Sequence, residues 1–199
     1  MTDRNRELDQ LMEKMVADYV AHNKAAAALK GLLEKAGIGF TPVIDHVTVR
    51  TFDIDHGAEP FVALGYAYDD TLEYDDWYAK VYRKTGYPAL FVDQAYPDER
   101  GKTSIIPGWV KKFGDRVFHH VAVRVEDIEK AIERLKKEGV VFAGSIVGGR
   151  GGQLRQIFSS PEMVDGQPFS VLELAERHRG YQGFSPPQAD SLMKSTAPR

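Results

Sequence analysis

The chain contains no cysteine, which excludes disulfides, thiolate metal ligands and a cysteine nucleophile. It also has no apolar run near the ~20 residues that a helix needs to cross a bilayer. Its 26 lysines and arginines are outnumbered by 29 aspartates and glutamates, and this balance does not favour nucleic acid as a partner. The charged start, with no apolar core behind it, is not typical of a signal peptide. We therefore expect a cytoplasmic protein whose chemistry depends on histidine and carboxylate side chains.

The sequence does contain an internal repeat. The stretch His46-Val-Thr-Val-Arg50 returns 74 positions later (120 − 46) as His120-Val-Ala-Val-Arg124. With an offset of 80 (173 − 93), Pro88-Ala-Leu-Phe-Val-Asp93 corresponds to Pro168-Phe-Ser-Val-Leu-Glu173. Two copies of one unit, each with a histidine in its first strand and a carboxylate in its last, can bring these side chains to one point. A divalent metal needs such a cluster.

Hydrophobic periodicity and glycine stops predict the same βαβββ order in both copies. The first copy has a strand over 44–52, a helix over 57–64 and strands over 66–72, 77–83 and 89–94. The second has a strand over 117–125, a helix over 127–138 and strands over 140–146, 153–158 and 169–175. We expect an α+β fold in which two tandem βαβββ modules form a curved mixed sheet around a metal site.

This pattern divides the chain into five parts. They are an N-terminal helical extension (1–39, with helix over 4–36), a first module (40–94), a linker (95–115), a second module (116–178) and a C-terminal tail with a short lid helix (179–199). The linker carries turn formers and no clear period. The helical extension and the exposed sheet edges make a homodimer plausible.

The candidate metal ligands are His46, His120 and Glu173. Side chains alternate across a strand, so His46 shares its polar face with Thr48 and Arg50, opposite two valines. Glu173 places a carboxylate in an otherwise apolar surface, where a bound metal would compensate the cost of burying its charge. Asp93 is either a fourth ligand or the vestige of one.

The other histidines are expected to be structural or exposed. His119 is next to His120 but points to the opposite face of the strand, which favours a structural role. His22, His56 and His178 have no partner pattern and are expected at the surface. The glycine-rich run 148–152 lacks the Lys-Ser/Thr of a phosphate-binding loop and is expected to be a mobile β-loop.

The motifs resemble those of the vicinal oxygen chelate superfamily, whose members include glyoxalases and dioxygenases. The second half is similar to the catalytic half of 4-hydroxyphenylpyruvate dioxygenase, and the first half to the 2-oxoadipate dioxygenase/decarboxylase family. The residues that carry this resemblance are His120-Val-Ala-Val, Leu154-Arg-Gln156-Ile-Phe, Leu172-Glu173-Leu-Ala-Glu-Arg177, Gly180-Tyr-Gln-Gly183-Phe184 and Ile44-Asp-His46-Val-Thr-Val-Arg50.

The resemblance implies a mononuclear non-haem Fe(II) dioxygenase that decarboxylates and hydroxylates a 2-oxo acid with O2. It implies that His46, His120 and Glu173 bind Fe(II), with Zn, Ni or Mn as alternatives in the isolated protein. Arg50 would hold a substrate carboxylate, which favours a dicarboxylic 2-oxo acid such as 2-oxoadipate. Gln156 would line the pocket, and the tail from Gly183 would close over it.

Two other functions fit the same fold. The first is a glyoxalase-like isomerase or lyase, with Asp93 as a fourth ligand and Zn, Ni or Mn in place of iron. The second is a non-enzymatic binding module, like resistance proteins that sequester a drug between modules. Such modules commonly lack the metal ligands, so the three matched ligand residues argue against this function.

Overall fold

A computed structural model describes residues 3–195 of the protein, which form an α+β chain. The elements are α1 (Asp3–Ala21), α2 (Lys24–Lys35), β1 (Ile44–Arg50), α3 (Ile54–Ala63), β2 (Ala67–Glu73), β3 (Trp77–Arg83), β4 (Ala89–Ala95), α4 (Ile106–Phe113), β5 (Val117–Val125), α5 (Ile128–Lys137), β6 (Phe142–Val147), β7 (Leu154–Ser159), β8 (Met163–Val164), β9 (Gln167–Pro168), β10 (Val171–Arg177) and α6 (Pro186–Ser195). Among residues 3–195, no helix is both long enough and apolar enough to cross a membrane.

The expected tandem βαβββ modules are confirmed. Strands of the first module are hydrogen-bonded in the order β2-β3-β4-β1, and those of the second in the order β5-β10-β7-β6. In each module the histidine strand pairs in parallel with the module's last strand, and the other pairs are antiparallel. The two modules therefore repeat one topology as well as one sequence pattern.

The first compact unit comprises the chain up to Asp18 and His46–His119. Its apolar sheet face includes Val47 opposite Leu90, and Val49 opposite Val92, all fully buried. Helix α3 packs on β4, and a Cβ at Gly57 would lie 3.1 Å from the Val92 side chain. The glycine thus permits a close helix–sheet contact that directs the opposite face, with His46, away from the helix.

The second unit comprises Tyr19–Asp45 and the chain from His120 onward. Val121 lies opposite Leu172, and Val123 opposite Leu174, on the apolar face. Helix α5 contacts β10 and α2, while α6 contacts β6 and β7. Asp165 and Gly166 both have positive φ and form the turn of a short β8–β9 hairpin.

The helix predicted over 4–36 is two helices. The chain leaves α1 after Ala21, and Asn23 begins α2 by accepting a hydrogen bond from the backbone N–H of Ala26 through Oδ1. Its Nδ2 donates to Ser170 Oγ at 3.1 Å, just before β10. This buried contact fixes the break, because a cap and a tertiary partner together outweigh the helical preference of the segment.

The span 95–115, expected to lack regular structure, contains a 3₁₀ turn (Glu99–Thr103) and α4. Pro107 lies in the first turn of α4, where its missing N–H costs nothing. Ile106, Trp109 and Val110 are buried, so packing stabilises a helix too short to show a clear period.

Candidate metal centre

In the second unit His120 and Glu173 share one face of the sheet. His120 is opposite Val171 and Glu173 is opposite Ala122, so the two side chains are one step apart on adjacent parallel strands. His120 Nε2 lies 3.4 Å from Glu173 Oε2, and the two side chains are only 9% and 2% exposed. A buried imidazole beside a buried carboxylate is the beginning of a ligand set for a divalent cation.

Gln156 orients the Glu173 carboxylate. It lies on β7, opposite Ala175 of the antiparallel strand β10, and faces the same side of the sheet as Glu173. Its Nε2 donates to Glu173 Oε1 at 2.5 Å, while Oε2 is the oxygen toward His120. An amide donor on one oxygen fixes the rotation of the carboxylate, as outer-shell partners do in metal sites.

Apolar side chains surround this pair. Phe158 lies opposite Glu173, and its ring is 5.2 Å from the His120 ring. Phe158 also packs in a buried cluster with Val171 and with Leu192 of helix α6, which brings the C-terminal helix to this side of the sheet. Such surroundings make an uncompensated carboxylate costly, so a cation beside Glu173 would be stabilising.

In the first unit His46 occupies the matched position of β1. It is buried opposite Ala89, and its ring is 5.1 Å from the ring of Phe91. Phe91 lies opposite Thr48, two positions beyond the histidine. The aromatic contact limits the rotation of the imidazole, as Phe158 does for His120.

Strand pairing corrects the sequence alignment of the two carboxylates. Glu173 lies opposite the residue two positions after His120, and in the first unit the equivalent place, opposite Thr48, is taken by Phe91. The structural offset is therefore 82 (173 − 91) rather than 80. Asp93 lies opposite Arg50, four positions beyond His46, so it is not the counterpart of Glu173.

Arg50 and Asp93 are both buried in the first unit, where the Arg50 guanidinium lies 5.1 Å from the centre of the Trp109 ring. Burial raises the pKa of Asp93 from 3.8 to about 7, although Arg50 and His46 act to lower it. Burial likewise lowers the pKa of Arg50 to about 10, against the opposing effect of Asp93. Within residues 3–195, Asp93 Oδ1 accepts no hydrogen bond. The pair therefore provides a guanidinium close to a carboxyl group that a proton can readily neutralise.

The other histidines have distinct surroundings. His119 is buried, with its ring 5.8 Å from Trp109 in an edge-on contact. His22 and His56 are exposed, as expected. The His178 side chain is 38% exposed, and its Nε2 lies 2.5 Å from Glu176 Oε1, a contact that the sequence did not indicate.

Sequence reasoning missed Asp45 and Tyr19. Asp45 directly precedes His46, is buried, and binds Arg124 and Arg177. Tyr19 donates its hydroxyl to Val171 O, and burial raises the pKa of this hydroxyl. In the sequence, the only signal that could have drawn attention to Asp45 is its position directly before His46. Its contacts with Arg124 and Arg177 are long-range and leave no local pattern.

The donor set fits a divalent metal. Imidazole suits Zn, Cu, Fe and Ni, and two histidines with one carboxylate are typical of non-haem Fe(II) oxygenases. In the second unit the carboxylate is already oriented by Gln156 and flanked by a histidine. This arrangement can bind a cation without moving the strands that carry it.

Residues 43–165 match the family model of the glyoxalase/bleomycin resistance protein/dioxygenase superfamily. Among curated protein sequences, none matches this chain. The hydroxyglutarate synthase of Oryza sativa, solved with 2-oxoadipate, is 17% identical with a TM-score of 0.79, covering 98% of this chain and 94% of that one. A 4-hydroxymandelate synthase mutant from Streptomyces coelicolor is 19% identical (TM-score 0.61; 79% of this chain, 55% of that one). Methylmalonyl-CoA epimerase from Mycobacterium tuberculosis is 22% identical with a TM-score of 0.50, covering 67% of this chain and 87% of that one. At these identities the likeness shows the fold.

Proposed function

The chain belongs to the glyoxalase/bleomycin resistance protein/dioxygenase superfamily, and from this premise we propose that it is a mononuclear non-haem Fe(II) dioxygenase acting on a 2-oxo acid. The reaction is an oxidative decarboxylation coupled to hydroxylation of the remaining fragment, with O2 as co-substrate. In this proposal His46, His120 and Glu173 hold the metal, and a dicarboxylic 2-oxo acid similar to 2-oxoadipate is the substrate.

One observation carries the proposal. In the second unit His120 Nε2 lies 3.4 Å from Glu173 Oε2 and both residues are buried, and His46 is buried at the matched strand position of the first unit. A single cation at ordinary bond lengths of about 2.0–2.2 Å could span such a separation. Two imidazoles and one carboxylate leave adjacent coordination positions open for a chelating substrate and O2.

The identity of residue 91 favours the dioxygenase over a glyoxalase-like site with four ligands. A closed shell would need a second carboxylate in the first unit at the place that Glu173 occupies in the second. Phe91 occupies that place, and Asp93 lies two positions farther along β4, opposite Arg50. A three-ligand set suits a reaction in which both a chelating substrate and O2 must reach the metal.

The substrate class is supported by a structural neighbour and by Arg50. The rice hydroxyglutarate synthase, which has the same fold, was solved with 2-oxoadipate. In this chain Arg50 lies on the same strand face as His46, four residues farther along β1. A planar guanidinium there is suited to bind the distal carboxylate of the substrate through two hydrogen bonds.

Fe(II), when bound, would supply two-point binding of the 2-oxo carboxylate and activation of O2; the protein supplies orientation and a dry site. Gln156 holds Glu173 in its ligating rotation through the hydrogen bond to Oε1. Phe91 and Phe158 pack against the two histidine rings and exclude water from their flanks. Helix α6 would act as the lid, because Leu192 packs against Phe158.

Replacing Arg50 by methionine is expected to raise the KM for 2-oxoadipate about 10- to 100-fold, the loss of one charge-assisted bidentate contact. The same variant should change the KM for the monocarboxylic 2-oxohexanoate less than about threefold. Steady-state O2 uptake with both acids measures the contrast. The more conservative Arg50→Lys keeps the charge and should recover only part of the loss, because lysine lacks the planar fork. An equal effect on both acids would remove Arg50 from carboxylate recognition.

Replacing Gln156 by leucine is expected to weaken Fe(II) binding roughly 10- to 100-fold, the typical cost of removing an outer-shell partner. The lost donor leaves the Glu173 carboxylate free to rotate away from its ligating position. Anaerobic titration with Fe(II) gives the Kd, and Gln153→Leu is the matched control, because Gln153 is exposed just before the same strand. Unchanged affinity in Gln156→Leu would show that the amide does not orient the carboxylate.

Metal analysis of anaerobically purified protein, followed by a panel of 2-oxo acids with an O2 electrode, tests the whole proposal. We expect one Fe(II) per chain to support O2 uptake and CO2 release, with the highest kcat/KM for a dicarboxylic 2-oxo acid. Metal-dependent isomerase or lyase activity without O2 uptake would instead establish the glyoxalase-like alternative. A protein that gains no thermal stability from Fe(II), Mn(II) or Zn(II) would indicate a binding module.

A further inference from the structure

A buried carboxylate, Asp45, lies immediately before His46 in the sequence and at the start of β1. It is bound by two arginines of the second module. Arg124 donates to Oδ1 from Nε at 3.1 Å and from Nη2 at 2.9 Å. Arg177 makes a two-point contact, from Nε to Oδ1 at 2.7 Å and from Nη2 to Oδ2 at 2.8 Å.

Both arginines bind the Asp45 carboxylate, but they differ in exposure to solvent and in their other contacts. The Arg124 side chain is 50% exposed, whereas that of Arg177 is 4% exposed. Arg177 also has a second set of contacts: its Nη1 donates to Gly183 O at 2.7 Å, and its guanidinium lies 4.6 Å from the centre of the Phe184 ring. One buried guanidinium therefore joins Asp45 to the backbone that follows β10.

The backbone that Arg177 binds leads directly to α6. We define residues 178–195 as the C-terminal arm. Its first part folds back on itself, since Tyr181 N–H donates to His178 O at 3.0 Å and a Cβ at Gly183 would lie 2.5 Å from Tyr181 Oη. Its last part places Leu192, only 2% exposed, against Phe158 and Val171. The ring of Phe158 in turn contacts the His120 ring.

We infer that Arg177 is the positioning residue that latches the C-terminal arm over the metal site, with Asp45 as its anchor. The guanidinium has a fixed planar set of donors, so a two-point contact with Asp45 also determines where Nη1 points. The carbonyl of Gly183 is thereby held at one distance from the start of β1. The arm can open only when the Nη1 contacts break, which makes Arg177 the control point for access to His120 and Glu173.

The absence of cysteine from the chain gives a direct test. In a Leu192→Cys variant the new thiol is the single thiol of the protein, and its labelling rate by an aromatic disulfide reagent reports how often the arm opens. Adding Arg177→Met should increase that rate about 10- to 100-fold, since charge-assisted hydrogen bonds that hold the arm are lost. Adding Arg124→Met should leave it unchanged, because Arg124 binds Asp45 but no atom of the arm in the described contacts.

A second reporter separates arm opening from general loosening. Ala26→Cys places a thiol in helix α2, where Ala26 is fully buried in the same unit. Its labelling rate should stay within about threefold of the parent in the Arg177→Met background. Arg177→Lys should restore the positive charge next to Asp45, and with it the thermal stability. It should not restore slow labelling at position 192, because a single lysine ammonium cannot bind both Asp45 and the Gly183 carbonyl.

Three outcomes would overturn the inference. They are an unchanged rate at Leu192→Cys in Arg177→Met, equal acceleration at both reporters, or the same acceleration from Arg124→Met. The first outcome would show that Arg177 does not hold the arm closed. The second would show that Arg177 stabilises the whole unit rather than the arm. The third would show that the effect comes from losing positive charge beside Asp45, not from the contacts with the arm. None of these measurements requires a metal or a substrate.

The catalytic consequence rests on the proposed function. With Fe(II) and 2-oxoadipate as probes, Arg177→Met should lower kcat/KM, since an open arm admits water and loosens the substrate. If wild-type protein consumes no O2 with any 2-oxo acid, the proposed function fails while the labelling result still decides the latch. If O2 uptake is present and Arg177→Met retains wild-type kcat/KM despite fast labelling, the arm opens without controlling catalysis, and the role in access is overturned.

Discussion

Glu173→Gln is expected to abolish tight binding of Fe(II), with affinity falling by more than the roughly 10- to 100-fold typical of outer-shell changes. The amide has no charge to compensate a cation and offers a poorer oxygen ligand, while its NH2 group would point at either Gln156 or His120. The measurement is an anaerobic Fe(II) titration of both proteins, followed by O2 uptake with 2-oxoadipate.

The metal-free stability of Glu173→Gln provides the control for folding. Without a cation, Glu173 is a buried charge, so its replacement by a neutral isostere should leave the unfolding free energy unchanged or slightly higher. Wild-type protein should gain about 2.7 kcal/mol when Fe(II) is present at 100 times its Kd, and the variant should gain nothing. A variant that folds normally and still gains stability from Fe(II) would exclude Glu173 as a ligand.

Arg155→Met is expected to destabilise the protein by about 2–4 kcal/mol, because it breaks a buried ion pair by removing one partner. Arg155, 8% exposed, binds Glu129 at 2.6 and 2.9 Å and Glu176 at 3.3 Å. Glu176 is itself buried and accepts the Ile128 N–H at the start of α5. Removing the arginine leaves a buried carboxylate without its cation. Urea denaturation at pH 7 gives the difference in unfolding free energy.

The exposed Arg150→Met is the matched control. Arg150 is 85% exposed and lies 3.3 Å from the same Glu129 carboxylate, so its removal should cost no more than about 0.5 kcal/mol. Equal losses in the two variants would show that burial of the Arg155 network contributes nothing.

The effect of Arg155→Met should depend on pH in a defined direction. Burial acts to raise the pKa of Glu176, but hydrogen bonds from Ile128 N–H, His178 and Arg155 outweigh it and lower the pKa below 4.5. A carboxylate with a depressed folded-state pKa contributes stability above its unfolded pKa and loses it as the pH falls. The difference between wild type and variant should therefore be full at neutral pH and shrink below about pH 4.5. A difference that grows on acidification would contradict this account.

Much of the fold is local enough to be predicted from the sequence. Helix α5 follows from its amphipathic spacing, and Asp127 begins it by accepting a hydrogen bond from the Lys130 N–H. Strands β1 and β5 follow from β-branched residues that alternate with polar ones, which also places each histidine on the face opposite the valines of its strand. His46 and His120 occupy corresponding positions in the two copies of the repeat, and this correspondence can be recognised from the sequence without knowledge of long-range contacts.

Other features depend on contacts between residues distant in the chain. Helix α4 is short, and the burial of Trp109 against His119 and Arg50 stabilises it more than its own propensity does. The break between α1 and α2 depends on Asn23, which caps the start of α2 and also binds Ser170, 147 positions away. The local periodicity of the sequence cannot predict such long-range partners.

By itself the sequence determined the superfamily resemblance, the duplicated βαβββ unit and three candidate ligands, because strand alternation and motif spacing are properties of short segments. Only the tertiary structure decided that Phe91, rather than Asp93, is the counterpart of Glu173, and that Arg177 connects Asp45 to the C-terminal arm. Strand register is set by backbone hydrogen bonds between segments about 40–50 residues apart, and a shift of two positions keeps the same face while changing every neighbour. Loop lengths, which differ between the two copies, hide that register from any linear comparison.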